Sequence, residues 1–438
     1  MTDTAGGAGT AGAGVPGATA SSAPAMRLRG GLLITLAALS AFGPISLDLY
    51  LPAFPSIADS LGVSTGDVQL TFAACLLGLG LGQLVYGPLS DRYGRKPPLI
   101  GGLVLYVVAS LLCAAAPSLW ALTGLRFVQG LGGCAGLVIA RAIVRDGFDG
   151  PELTRSFSVI ASVSMIAPLL APSAGAAVLQ VASWRVLFVV IALFGAACLV
   201  AALRLPETHP RHRRTDHGVI ASIAGYGSLL RQRRFVLPAS IAALGSGTLL
   251  AYISSSSVVL MTTYGVEPAG FALIFAFLAL WFIIGIRVNL VLLHRRSVHQ
   301  LLRLYVAVEI AALVVLLVLL EMQSPLWAVL AALAVVKACL GGIFPNATAE
   351  SMQPFKRSAG SASALLGTMQ FATGGIVAGI LAAVALAPGI EMAGSMLVLA
   401  VVSAVLVALP LRAHADEEAD EPGTVDSLDI IEGSGSAG

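Results

Sequence analysis

The chain has 438 residues, 57% of them hydrophobic and only 11% charged, with a mean hydropathy of +0.91. Soluble domains carry about 25% charged residues, so an ordinary water-soluble domain is excluded. The formal net charge of +2 says less than where the charges lie, and no basic-aromatic run points to nucleic acid.

Residues 1–26 are rich in Gly, Ala, Ser and Thr and are expected to be disordered. Arg27 and Arg29 then precede an apolar run too long for a signal-peptide core, with no cleavage site after it, which reads as a retained first span. Apolar runs near the ~20 residues needed to cross a bilayer follow at about 31–54, 68–89, 98–116, 119–143, 154–180, 184–204, 236–262, 269–292, 300–321, 325–349, 358–386 and 390–411. The short alternating strands of a closed barrel are absent from the pattern. The longest polar insert, 205–234, divides the runs into six and six. The expected organisation is an all-α membrane protein: a six-helix bundle over 27–204, a linker over 205–234, a second six-helix bundle over 235–412 and a disordered acidic tail over 413–438.

Lys and Arg flanking the spans fall on the amino-terminal side, with Arg185 the exception, so the positive-inside rule puts both termini in the cytoplasm. The halves also echo each other. Gly87 to Asp91 near the end of span two matches Gly285 to Asn289 near the end of span eight, each followed by a basic pair, Arg95 and Lys96 or Arg295 and Arg296. Such repeats suit transporters whose halves rock about a central site.

Residues 87–96, "GPLSDRYGRK", concentrate charge where charge is scarce. Gly87 is expected to admit close helix approach, Asp91 to pair with a cation at a helix end and Gly94 to permit a sharp turn. Arg92, Arg95 and Lys96 would hold the loop at the inner face. An ordinary positive-inside loop explains the cations but not the acid and the glycines.

This loop resembles the signature loop of the major facilitator superfamily. "LDLYLPAFPSIADSL" (47–61), "RFVQGLGGCAGLVIARAIVRD" (126–146), "APLLAPSAG" (167–175), "WRVLF" (184–188), "LPET" (205–208), "YGVEPAGFALIFAF" (264–277) and "PNATAE" through "SASALLG" (345–367) resemble the Bcr/CflA branch of twelve-span drug:proton antiporters, linked to bicyclomycin, chloramphenicol and florfenicol resistance. The resemblance runs from about residue 30 to 410 in consistent order. It implies the major facilitator fold, the bacterial cytoplasmic membrane, a monomer, no cofactor and no enzymatic activity. Two departures bear on cavity shape: Ser257 stands where the branch usually has proline, and Ala167 and Ala171 where the antiporter signature tends to have glycines.

Ionisable residues at membrane depth are costly and point to function. By helical rise Asp48 lies roughly 26 Å from the inner end of span one and Arg126 roughly 10 Å below the outer start of span four, broadly comparable heights at which an acid and a guanidinium can pair. Two readings are open. A rocking motion or an arriving substrate changes the proton affinity of Asp48, or the pair is static and fixes helix packing; related drug antiporters place an acid in span one and an arginine in span four, as the resemblance implies. Glu309 in span nine and Lys337 in span ten match in depth, about 10–12 Å from the inner side. They either pair, or Lys337 snorkels while Glu309 meets water. Arg287 is expected to snorkel.

Pro168, Pro172 and Gly175 would bend span five, which the resemblance reads as the antiporter signature that limits leak; a plain kink is the other reading. Spans one, four, seven and ten line the cavity in this superfamily. Candidates on them are Tyr50, Gln129, Tyr252, Ser255 and Asn346, which either meet substrate or bridge helices. "NAT" at 346–348 lies at membrane depth and is no glycosylation acceptor, and the glycine runs at 78–87 and 130–136 are not phosphate cradles. No Walker sequence is present, so ATP is not expected as a partner. The five cysteines sit in apolar runs and the six histidines in or beside polar segments, which leaves no metal set. The expected function is proton-coupled efflux of small amphiphilic drugs or toxic metabolites; a metabolite or sugar-related carrier of the same fold is the alternative.

Overall fold

The computed structural model describes residues 30–211, 214, 226–355, 359–383 and 387–409. The expected tails, part of the linker, and Arg27, Arg29, Lys356 and Arg357 lie outside them. Eleven described helices are long and apolar enough to cross a membrane, and a bent pair, Gly31–Ser40 with Phe42–Leu61 at 43°, makes a twelfth. In chain order the spans are the first (Gly30–Ser40, Phe42–Asp48, the short turn Leu51–Ala53 and Phe54–Leu61), second (Thr65–Tyr93), third (Lys96–Ala114), fourth (Leu119–Gly147), fifth (Gly150–Leu179), sixth (Trp184–Leu203), seventh (Arg233–Ser257, continued by a wide turn Val258–Thr263), eighth (Pro268–Leu292), ninth (Val298–Glu321), tenth (Leu326–Met352), eleventh (Ala359–Ala383) and twelfth (Pro388–Ala408). All are helical because in hydrocarbon each backbone polar group must be satisfied within its own segment. Large apolar side chains face outward, among them Leu193, Leu273, Val315 and Val405, while Trp120 and Trp327 stand exposed at the starts of spans four and ten, where interfacial aromatics belong.

One end of the bundle carries Arg92, Arg95, Lys96, Arg145, Arg204, Arg295 and Arg296 and is called the basic face; the opposite end, with residues 61–64, 180–183 and 264–267, is the far face.

Small residues bring the helices of each half into backbone contact, and they reveal the repeat. A Cβ on Gly78 of span two would lie 2.1 Å from the Phe127 carbonyl oxygen of span four, and one on Gly130 of span four would lie 2.2 Å from the Cys75 carbonyl oxygen of span two. In the second half Gly285 of span eight stands 2.0 Å from the Ala338 carbonyl oxygen of span ten by the same measure, and Gly341 of span ten 2.2 Å from that of Phe282 in span eight. Tyr106 of span three then packs on Gly133, and Tyr305 of span nine on Gly342. The repeat expected from the sequence is therefore present, but in another register: Gly285 corresponds to Gly78, not to Gly87. The same contacts put Arg126 and Lys337 at equivalent places, each four residues before its span's contact glycine, Gly130 or Gly341. Gly130→Ala is expected to force spans two and four apart at a cost of about 1–3 kcal/mol, read as a lower melting temperature and a reduced monodisperse yield in detergent.

The halves meet along spans two and eleven and along spans five and eight. Thr368 Oγ1 donates to the Gly80 carbonyl at 3.0 Å. At the far face a second break in span one, at the turn Leu51–Ala53, touches spans seven and eight. Proline makes that break: Pro55 has no N–H to return to the Leu51 carbonyl four residues earlier. That carbonyl accepts the Ser257 hydroxyl of the other half at 3.0 Å. Ser257, the departure from proline noted above, thus ties the far face shut. Ser257→Ala is expected to lower the far-face-closed population by about 1 kcal/mol, roughly fivefold, measurable as the accessibility of a single cysteine placed beside the break.

Candidate functional site: buried charges at the junction of the halves

Arg126 is wholly enclosed within the first half. Its guanidinium lies 4.2 Å from the Tyr50 ring centre and 5.7 Å from that of Phe188, donates to the Ser46 carbonyl at 2.8 Å and to Gln129 Oε1. The network extends outward. Gln129 Nε2 donates to Ser110 Oγ at 2.7 Å, Ser46 Oγ and Tyr106 Oη lie 2.7 Å apart, and Tyr50 Oη and Thr71 Oγ1 lie 3.0 Å apart. Cation–π contact and charge-assisted hydrogen bonds hold this guanidinium without a carboxylate.

Asp48 is not its partner. No direct ion pair joins the two among the described contacts. The reason is angular. Ser46 and Tyr50 are four residues apart and share the face of span one that meets span four, whereas Asp48, two residues from each, points about 200° away. There it acts electrostatically on Lys337 of span ten and on Tyr252 of span seven. Lys337 Nζ sits 4.0 Å from the Tyr252 ring centre, and that ring stacks on Phe275 at 6.1 Å. Asp48 is 4%, Tyr252 1% and Lys337 5% exposed, so an acid from one half and a cation from the other are enclosed together at their junction. Each half seats one cation on one tyrosine, Arg126 on Tyr50 and Lys337 on Tyr252, and only the second faces an acid.

The expected Glu309–Lys337 pair is likewise absent. Glu309 is buried, its Oε1 has no hydrogen-bond partner among the described residues, and the neighbour its charge acts on is Cys339. Lys337 and Cys339 are two residues apart in one helix, so when Cys339 faces span nine Lys337 faces span seven. Lys337 is buried and does not snorkel; Arg287 is exposed.

Three of the five cavity candidates bridge helices inside a half. Tyr50 and Gln129 belong to the Arg126 network, and Asn346 exchanges amide hydrogen bonds of 2.8 and 3.0 Å with Asn289, joining spans ten and eight. Tyr252 and Ser255 differ: both hydroxyls are buried without a hydrogen-bond partner among the described residues. Span five runs as helix through Pro168 and Pro172, and a Cβ on Gly175 would lie 1.9 Å from the Leu49 carbonyl oxygen. Gly175 therefore lets span five press against the break beside Asp48.

At the basic face Arg95 gathers the loop. Its Nε donates to Asp146 at 2.7 Å, its Nη1 to Ser90 at 2.8 Å and to Asp91, and its backbone N–H to Glu207 at 2.8 Å. Lys96 Nζ caps the Leu203 carbonyl at 2.7 Å, and its N–H reaches Glu207 at 3.2 Å. Arg92 lies over the Tyr93 ring at 5.4 Å, outside the network. Gly94 has φ +92°, and a Cβ there would strike Glu207 at 2.6 Å, so the turn demands glycine. Gly87 faces the Tyr226 hydroxyl at 3.9 Å rather than a neighbouring span, which corrects its expected role. Burial pushes Glu207 up, but the N–H groups of His209, Arg95 and Lys96 and the Arg214 charge outweigh it and hold this carboxyl below the usual range. Its contribution is present above the ordinary carboxylate pKa and fades only as pH falls through the lower folded value; near neutrality it is not a proton switch. Asp146, in "IVRD", and Glu207, in "LPET", carry no local signal of this role, because their partner Arg95 is more than fifty residues away in the chain.

Residues 34–379 match the Major Facilitator Superfamily. The chain belongs to this superfamily. It is similar to the MFS-type transporter YdgK of Bacillus subtilis, 37% identical over 81% of this chain and 89% of that protein. It is also similar to a bicyclomycin resistance protein homolog of Haemophilus influenzae, 30% identical over 85% of this chain and 94% of that one. A D-xylose-proton symporter structure aligns with a TM-score of 0.67 at 14% identity, over 86% of this chain and 97% of that one, which speaks to the fold alone. This superfamily member is a transporter of the Bcr/CflA type, not an enzyme.

Proposed function

We propose that this transporter exports small amphiphilic drugs or toxic metabolites in exchange for protons by alternating access, in the bacterial cytoplasmic membrane, with the basic face and both termini on the cytoplasmic side. Residues 27–204 and 235–412 are the two rocking bodies, and 205–234 joins them. Small molecules and protons are its partners; ATP is not.

The observation that carries this reading is Asp48, a carboxylate enclosed where the helix of span one breaks, at the junction between the halves. An acid so placed gains or loses its proton according to how the halves stand, and intramembrane acids of this kind serve as proton relays. Tyr252 and Ser255 of span seven, whose buried hydroxyls have no hydrogen-bond partner among the described residues, are the proposed substrate contacts. Two relatives bear resistance names, the bicyclomycin resistance homolog and multidrug resistance protein D of Escherichia coli, which favours a drug-like substrate. The driving force suffices: one proton falling through ~100 mV releases ~2.3 kcal/mol, one pH unit adds ~1.4 kcal/mol, and together they sustain a several-hundredfold gradient of a neutral compound.

The test is expression in a pump-depleted bacterium against a chemically broad antibiotic panel. Raised resistance that disappears when the pH gradient is collapsed supports the reading. Rescue of nutrient-limited growth without any resistance would favour a metabolite carrier instead.

A further inference from the structure

We propose that Asp48 and Lys337 form an electrostatic lock between the two halves, which holds the empty transporter with its far face closed until a proton or a substrate neutralises it. The inference rests on the antiport reading and assigns the cation that works with its carboxylate.

Three observations carry it. The two side chains come from opposite halves, so any rocking that opens the far face separates them, whereas Arg126 moves with Asp48 as part of the same body. Lys337 is held in place, its ammonium resting on Tyr252, and no direct ion pair consumes it among the described residues. Asp48 lies directly before the break whose Leu51 carbonyl takes the Ser257 hydroxyl, so the charges sit beside the contact they would reinforce.

The other groups near them are accounted for. On the side of span one that meets span four, Cys75 of span two faces Arg126, the Tyr106 hydroxyl of span three lies on Ser46 and Arg126 keeps its own partners, whereas span seven presents Tyr252 to Asp48. Around Lys337, span nine presents Tyr305 and Glu309, which face elsewhere on span ten, and span eight presents Arg287 near the basic face. Spans five and eleven offer no titratable side chain at that depth. Lys337 is therefore the cation left to answer Asp48.

Such a lock explains obligatory exchange. An ionised, empty carrier cannot open its far face without separating opposite charges in a low-dielectric junction. A proton on Asp48 removes one charge, and a substrate wedged beside Tyr252 screens both. Only a loaded carrier then turns over, which is the requirement for antiport without leak.

The test needs no substrate. Spin labels at Asp59→Cys and Met322→Cys, in nanodiscs, report the far-face distance by pulsed electron resonance between pH 8 and pH 5.5. The wild-type background is expected to change its closed-to-open ratio by about tenfold over that range, since tenfold corresponds to one pH unit of differential proton affinity. Lys337→Met and Asp48→Asn should each reduce the response to less than about twofold, Arg126→Lys should retain it, and the exchange Asp48→Lys with Lys337→Asp should restore closure. Lys337→Met should also leak protons across vesicles without drug. A Lys337→Met protein whose far face answers pH as the wild type does overturns the lock. So does a wild-type distance that ignores pH. Because the distance is read without transport, a mistaken substrate class leaves this result standing, and failure of the lock leaves the resistance assay standing.

Discussion

Arg126→Ala is expected to leave little folded protein. The substitution removes a fully enclosed side chain and strands the Ser46 carbonyl and the Gln129 amide, both at membrane depth where no water replaces the lost donor. Each orphaned buried polar group costs about 1–3 kcal/mol, and the emptied volume above Tyr50 and Phe188 adds a cavity cost, so a total of about 3–5 kcal/mol is expected. Arg126→Lys keeps a cation over the Tyr50 ring but cannot reach both acceptors, and its loss should be intermediate. Thermal unfolding in detergent, followed through the intrinsic tryptophans, measures both. The same experiment separates the two possible partners of Asp48. Because Arg126 and Asp48 share no bond, the stability losses of Arg126→Lys and Asp48→Asn should add within about 0.5 kcal/mol; a direct ion pair would leave a larger remainder.

Asp48→Asn should behave in the opposite way, folding normally and exchanging nothing. The carboxamide is nearly isosteric, no ion pair or hydrogen bond of Asp48 is lost among those described, and a neutral group is easier to enclose than a charged one. What disappears is the carboxylate at the junction that can carry a proton in one shape and release it in the other. Resistance should fall to the level of the empty vector while the yield and melting temperature of the purified variant stay near wild type.

The contrast between these two variants shows what the sequence made legible. Span positions, the six-and-six division and the depths of Asp48, Arg126, Glu309 and Lys337 follow from run length and helical rise, and all four residues prove to be buried. Depth alone does not choose partners. Both anticipated pairs matched in height and failed in azimuth, although the hundred-degree step per residue already placed Asp48 opposite Ser46 and Tyr50, and Lys337 opposite Cys339. The repeat could be read because both halves need glycine where spans two and four, or eight and ten, touch backbone to backbone. Its register could not, since Gly87 looks like Gly285 in the sequence while Gly78 occupies the equivalent contact. The partners of Arg95 were hidden for another reason: Asp146 and Glu207 reach it only after the bundle has formed. Tyr252 stood out as an aromatic on a cavity-lining span, but its service as the seat of Lys337 depends on a crossing between spans seven and ten that no local pattern encodes.

Proton release from reconstituted vesicles, followed with a pH-sensitive dye as an exported drug identified by the resistance panel is added, tests the central claim most directly. Wild-type protein should release protons in step with drug uptake, and Asp48→Asn, at equal protein per vesicle, should release none. An Asp48→Asn signal equal to that of the wild type would contradict the assignment of this carboxylate as the proton carrier.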